Sequence, residues 1–362
     1  MKHVFHIISH FDMGGAERVA VNIAKSGNPD IEYHIVELIR TRSKFSSAFI
    51  GELKKAGIRY HRSIVPGIRF HYLFERFAAV TFPLRYLYYY LRYRPGAVHC
   101  HTEMPDLGVY LAFTIMPWLI WHCEVVRTIH NTRLWTGMKK TGLKVEDFFM
   151  ACSANVGISE SVCDSYEREY GERPSLIYNG VGQVPRKPYK DIVPGKKNIL
   201  FAGRFEPQKG METLIKIIRA RRDDDRYFFH VVGNGSLRKR LKSALEDCQN
   251  VRIVPPIYGL AAYLPSFDYM LMPSEFEGLS IMSIEASMAA LPVIANNCPG
   301  LRDTLPPDWQ LKVENNDLDA YNHIFDTVIP AVDARKLGDE AQRFAEENFS
   351  IERMQRSYEN RY

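Results

Sequence analysis

The sequence predicts an α/β protein of two doubly wound domains, each built on a parallel sheet. Three observations predict it. Short apolar runs alternate with helical patterns from residue 3 to residue 178; a stretch with several Pro and Lys and little apolar periodicity follows; and the alternation resumes at Asn198. Regular βα alternation is the mark of parallel strands with helices on both faces. The chain has 362 residues, 46% hydrophobic and 25% charged, enough for one large or two medium globular domains. We place the boundary within residues 182–196, with 1–182 as the first domain and 183–345 as the second. The closing helical stretch, about 346–362, is expected to pack back on the first domain.

The first run, 3–10 (HVFHIISH), reads as a buried strand and leads through D-M-G-G-A-E-R into a helix carrying Val19, Ile23 and Ala24. Gly14 and Gly15 thus stand where a strand turns into a helix, as a phosphate-approach turn or as a plain tight turn. The dinucleotide fingerprint G-x-G-x-x-G is absent. Strands are then expected at 32–39, 58–64, 97–101, 124–130, 155–159 and 175–178. Helices are expected at 47–56, 70–93, 105–116, 143–150 and 161–170. Two of the strands end in polar groups, one at His99, His101 and Glu103, the other at Thr128, His130 and Asn131. His99 and His101 share one strand face, which suits a metal, but no third ligand is near in sequence and no metal is expected. His130 sits at the carboxyl end of a central strand, where open α/β sheets bind ligands. A satisfied buried histidine is the competing account.

Charge and cysteine narrow the class. The net charge is +5, yet seven arginines and a single acid, Glu75, fall between Ile58 and Pro95, so the rest of the chain is close to neutral. Interleaved with Phe, Tyr and Leu, the stretch from Arg59 to Arg94 fits an anionic membrane surface or a core helix with a solvated arginine edge. It carries no nucleic-acid motif. Six scattered cysteines without a C-x-x-C pair read as free thiols in a reducing compartment. No signal-peptide pattern is seen, and the longest apolar run, around 112–121, is too short to span a bilayer. A cytoplasmic protein, peripheral on the inner face of the membrane, is the expectation.

In the second domain, strands at 198–201, 227–232, 251–254 and 269–272 alternate with helices at 211–220, 237–245 and 260–267. The stretch S-E-F-E-G-L-S-I-M-S-I-E, residues 274–285, follows the last of these strands. It opens a helix expected over 280–290, before a strand at 292–295. Glu277 and Glu285 flank a Gly at a helix start, where free N–H groups and the positive dipole end favour a phosphate. Glu285 is placed to take sugar hydroxyls, and Glu277 a second sugar. Arg204 and Lys209 bracket the loop G-R-F-E-P-Q-K-G after the first strand; together they suit a diphosphate. Solvated side chains on ordinary loops are the alternative for all four.

Taken together these segments resemble the retaining GT-B glycosyltransferases, family 4 in particular. The residues that carry the resemblance are Glu277-x7-Glu285 with G-L-S after the first Glu and E-A-S-M-A-A-L-P-V-I-A after it, then G-R-F-E-P-Q-K-G, G-G-A-E-R, T-I-H-N and Y-N-G-V, in the family's order. The resemblance implies two Rossmann-like domains facing a cleft and a nucleotide-sugar donor, UDP-linked, held mainly by the second. By position it implies Arg204 and Lys209 at the diphosphate and Glu285 at the ribose. Glu277 would face the transferred sugar, with the backbone of Gly203, Gly278, Leu279 and Ser280 at the donor. Gly14 and Gly15 would close on the donor, and His130 would touch its sugar. No metal or other cofactor is implied, and the acceptor would be a saccharide or a lipid-linked saccharide of a bacterial capsule or lipopolysaccharide. The chain departs from the pattern at Ala290, where the family carries Gly, at Gly182, where it carries Asp, and at Asp303, which stands near the position of a Glu. Two other functions fit the same elements, a sugar-nucleotide epimerase and a non-catalytic nucleotide-sugar-binding partner.

Overall fold

The computed structural model describes residues 1–12, 14–41, 44–66 and 71–362. Two compact units emerge, Met1–Gly180 together with Ile351–Tyr362, and Val181–Ser350. The units therefore meet in sequence at Gly180/Val181, two residues before the expected break. The closing segment that joins the first unit starts at Ile351 rather than near 346.

The first unit holds β1 (Lys2–Ile8), β2 (Ile31–Glu37), β3 (Arg59–His61), β4 (Ala97–Cys100), β5 (Glu124–Ile129), β6 (Asn155–Gly157) and β7 (Ser175–Leu176). They form one sheet in the order β3-β2-β1-β4-β5-β6-β7, every pair parallel. Helices α1 (Gly15–Ala24), α2 (Lys44–Lys55), α3 (His71–Tyr93), α4 (Glu103–Ile115), α5 (Lys139–Ala151) and α6 (Glu160–Tyr170) connect them. One face of the sheet buries Phe5, Ile7 and Val98 with α3 and α4. The other buries Val4 and Ile8 with α1 and with Met354 and Tyr358 of the closing helix. The alternation of Val4 to Ile8 between the two cores is the period of two that a strand imposes. Arg69 and Phe70, part of the basic aromatic stretch, lie outside the described residues.

The second unit holds β8 (Lys197–Arg204), β9 (Tyr227–Asn234), β10 (Val251–Val254), β11 (Tyr269–Met272), β12 (Val293–Asn296) and β13 (Lys312–Val313). Their order is β10-β9-β8-β11-β12-β13, again all parallel. Between and after them lie α7 (Met211–Ala220), α8 (Arg238–Ala244), α9 (Ile281–Met288), α10 (Leu318–His323), α11 (Ile329–Ala331) and α12 (Ala334–Asn348), and α13 (Ile351–Glu359) returns to the first unit. β13 has only two residues, too short for a periodic signal. The helix expected over 260–267 is a 3-10 helix, Leu260–Ser266, with Pro265 inside, as a missing N–H and a fixed φ dictate.

Ala290 follows α9 with φ 57°. An L-residue in that left-handed region costs about 1 kcal/mol. Replacing Ala290 with Gly is expected to raise stability by about 0.5–1 kcal/mol, read as a shift in urea midpoint at unchanged slope. An unchanged or lower midpoint would show that the methyl group's packing outweighs the strain.

Candidate functional site

In the second unit the chain enters the sheet at β8, builds outward to β10, then returns beside β8 as β11. The gap between β8 and β11 is thus the switch point of the sheet, where ligands bind outside the carboxyl ends of the strands. Both charged motifs lie there. β8 is apolar through Phe201 and ends at Arg204, whose side chain is exposed. A 3-10 turn, Pro207–Lys209, follows and stops at Gly210 with φ 66°. A Cβ at 210 would stand 1.7 Å from the Pro273 carbonyl oxygen, so only Gly lets the turn close on β11. The Lys209 stem passes over Gly203 at van der Waals distance from where its Cβ would be.

The Lys209 ammonium donates to Glu277 Oε1 at 2.5 Å. The Ser274 hydroxyl donates to the same oxygen at 2.8 Å. Glu277 is buried, and the Lys209 side chain is 18% exposed. Three further bonds knit the surrounding loops. Gln208 Nε2 donates to the Phe276 carbonyl at 3.0 Å, the Glu275 N–H to the Gln208 carbonyl at 2.8 Å, and the Glu277 N–H to the Pro299 carbonyl at 2.9 Å. Gly300 fits only as Gly, since a Cβ there would lie 2.3 Å from the Glu277 carbonyl oxygen. Asn296 Nδ2 holds the Ser274 carbonyl at 2.8 Å. Ser274, Asn296, Gly210 and Gly300 were not among the expected site residues. The two glycines are visible in the sequence, but what each must approach is not.

Helix α9 begins beside this pair. Ser280 caps it, its hydroxyl accepting from the Ser283 N–H at 3.4 Å, as Ser at an N-cap does. The N–H of Ser280, expected to face the donor, instead donates to the Gly300 carbonyl at 3.0 Å. The Leu279 N–H has no acceptor among the described residues. Gly278 lies between Glu277 and this open amide. Glu285 stands one turn further along, half-buried, and lines a small pocket with Gly182, Val184, Arg186, Ala261 and Gln342. Lys209 and Glu277 take no part in that pocket. The second unit therefore gathers Gly203, Lys209, Glu277, Gly278 and the α9 tip into one constellation, with Arg204 at its edge.

In the first unit, β1 and β4 flank the corresponding switch point. Gly14 is extended, with φ −142°, and caps α1, and Gly15 opens it. The Glu17 carboxyl curls back over Gly14, so that any Cβ at 14 would collide with it. Burial pushes that carboxyl up to about 7. His130 follows β5 and its Nε2 lies 3.4 Å from His101 Nδ1. His101 Nε2 in turn lies 2.9 Å from His6 Nδ1. His99, paired with His6 across β1 and β4, has Thr128 Oγ1 on one nitrogen and the Tyr362 hydroxyl on the other, both at 2.7 Å. Desolvation pushes His6 and His130 down to about 3 and lowers His99 and His101 well below the ordinary value. All four are neutral imidazoles at pH 7. The third nitrogen ligand that sequence spacing did not supply comes from β1, and His6, His99 and His101 offer nitrogens within 4.8 Å of one another. The hydrogen bonds just described account for both ring nitrogens of His99 and of His101.

Comparison with known proteins fits this two-domain fold. Residues 13–182 match the model for Glycosyltransferase Family 4, and residues 196–328 the model for Glycosyl transferases group 1. The chain is 29% identical over 168 residues to an uncharacterized 41.2 kDa protein in the cps region of Klebsiella pneumoniae, covering 42% of each chain. It is 28% identical over 143 residues to the O-antigen biosynthesis glycosyltransferase WbnH of Escherichia coli, covering 40% of each. The matched segments span 40% to 61% of the length of the first curated relatives. Among solved structures, Anabaena Alr3699/HepE in complex with UDP and glucose superposes with a TM-score of 0.77 at 14% identity, over 99% of each chain. The fold is GT-B, and with the two matched models it puts the chain in the GT-B glycosyltransferase class.

Proposed function

We propose that the chain moves a sugar from a nucleotide sugar, UDP-linked, to a saccharide or lipid-linked saccharide acceptor, with retention at the anomeric carbon. The observation that carries this reading is the Lys209–Glu277 pair, 2.5 Å apart, set beside the open Leu279 amide at the switch point of the second sheet. Breaking the anomeric C–O bond leaves positive charge on the sugar and negative charge on the departing diphosphate. Lys209, Arg204 and the α9 tip are cations and a dipole end fixed where that negative charge grows, the arrangement that lowers such barriers most. Glu277, held in place by Ser274, faces the sugar side. The acceptor hydroxyl forms the new bond to the anomeric carbon on the face the leaving group vacates, and its proton passes to a leaving phosphate oxygen. His130, as a neutral ring, hydrogen-bonds a sugar hydroxyl rather than supplying charge. The UDP bound to the Anabaena protein supports the base, and the O-antigen role named for the Escherichia coli relative supports a bacterial surface polysaccharide as the product.

A thermal-shift panel of nucleotide sugars tests the reading. A donor at about 100 times its Kd adds about 2.7 kcal/mol to stability. The matching donor should raise the melting temperature and release its nucleotide once acceptor is added. A panel without any shift, or epimerised donor formed with no acceptor present, would overturn it. The leaving group is stabilised by protein cations here, so activity is expected to persist at full rate in EDTA. Loss of activity in chelator, restored by a divalent ion, would show that the chemistry runs through a metal instead.

A further inference from the structure

Helix α3 is apolar on both sides. Its inner side buries Ala78, Ala79, Phe82, Tyr86 and Tyr89. Its outer side exposes Leu73, Phe77, Val80, Leu84, Tyr88 and Leu91, with Leu84 at 76% and Leu91 at 72%. At 100° per residue these six positions fall within about 80° of arc and run about 27 Å along the axis. Exposed Arg76 and Arg92 fall about 80° to either side of the stripe's centre. The helix's acid, Glu75, faces His10 at 3.5 Å rather than the stripe.

A second apolar group adjoins it. Helix α4 packs along α3 and runs on into the 3-10 turn Pro117–Trp121, which exposes Trp118 and, at 83%, Trp121. The Tyr86 hydroxyl of α3 lies 3.1 Å from Cys123 Sγ, which keeps that turn beside α3. Three of the six described arginines of the basic stretch are engaged elsewhere. Arg59 pairs with Glu32, Arg62 with Glu37, and Arg85 donates to the carbonyls of Glu37, His61 and Arg62. Of the other described arginines of the stretch, all exposed, Arg76 and Arg92 lie beside the apolar stripe.

We propose that this face, the α3 stripe with Trp118 and Trp121, lies in the surface of a bilayer carrying anionic phospholipid headgroups. Contiguous exposed apolar area of this kind marks an interaction site. Flanking arginines and interfacial tryptophans fit the boundary between acyl chains and anionic headgroups. A second copy of the chain fits worse, because stripe-to-stripe pairing crowds the arginines of both copies together. No helix among the described residues is long and apolar enough to cross a membrane, so the helix lies in the plane. That a lipid-linked acceptor is met there rests on the transferase reading; the docking itself does not.

Flotation of the full chain with vesicles tests it. The protein should float with phosphatidylcholine vesicles containing phosphatidylglycerol at least about tenfold better than with phosphatidylcholine alone. The double change Leu84→Gln with Leu91→Gln should lower binding about tenfold or more. Arg76→Gln with Arg92→Gln should remove most of the preference for the anionic vesicles. Both double variants should keep the parent melting temperature and nucleotide-sugar shift, which separates a failure of docking from a failure of the transferase reading. Parent protein that floats with neither vesicle, or leucine variants that float like the parent, would overturn the proposal. So would a concentration-dependent dimer that the leucine changes abolish, since the occupant would then be a second copy.

Discussion

Replacing Lys209 or Arg204 with alanine is expected to lower turnover by about 10²-fold or more, the usual cost of losing one preorganised group that stabilises transition-state charge. The two variants differ in what else they disturb. Arg204 is exposed, so its removal should leave the melting temperature alone and report on chemistry. Lys209 neutralises Glu277, which is 6% exposed. Its loss leaves a buried carboxylate with only the Ser274 hydroxyl recorded beside it, which costs about 1–3 kcal/mol. Lys209→Ala should therefore lower both the melting temperature and the turnover of each folded molecule. Pairing it with Glu277→Gln should restore much of the stability but none of the rate. The measurements are kcat and KM at saturating acceptor, with thermal unfolding alongside. Near-normal kcat in both single variants would mean that the β8–β11 gap is not where the leaving group departs, whatever happens to stability.

Most of the architecture was legible in the sequence, because parallel strands buried on both faces read as continuous apolar runs. HVFHIISH and YMLM each became a strand within about two residues, and the run 198–201 became a strand that continues three residues further, to Arg204. The charged motifs of the second unit were legible for the same reason, since each directly follows such a run. What sequence could not show is what lies across the gap. Lys209 and Glu277 are 68 positions apart, and nothing local says that one neutralises the other in the resting chain. Nor does spacing reveal that the Ser280 amide is already bonded to the Gly300 carbonyl. In the first unit the arginine excess fitted an anionic membrane surface or a core helix with a solvated arginine edge. Arg62 and Arg85 instead brace β2 and β3 through Glu37, while Arg76, Arg92 and Arg94 stay exposed.

The middle of β5 holds the largest stability effect outside the candidate site. Arg127 interrupts an apolar strand and is fully buried. Its Nε donates to Asp106 Oδ2 at 2.8 Å, and its two terminal nitrogens to both Glu146 oxygens at 2.6 and 2.8 Å. Trp135 and Tyr166 donate to the same Glu146 carboxylate. One cation thus faces two acids, and they divide its charge unequally. Glu146, in the bidentate pair, is lowered by Arg127 against its burial. Asp106, pushed up by desolvation against the pull of Arg127, rises to about 8, and its Oδ1 has no hydrogen-bond partner among the described residues. Removing the cation by Arg127→Met strands both acids, and breaking a buried pair from one side costs about 3–5 kcal/mol. The expected result is a urea midpoint lowered to match that loss of stability. The Asp106 proton sets the pH dependence. The folded chain keeps it up to about pH 8, whereas the unfolded chain releases it near 3.8. This contribution is therefore complete below about pH 4 and is lost as pH rises toward 8. Asp106→Asn keeps the shape without the proton, so its stability should vary less than the parent's across that window and match or exceed it at pH 8. A parent curve no steeper than that of Asp106→Asn, or an Arg127→Met cost below about 1 kcal/mol, would show that the cluster is solvated rather than sealed in the core.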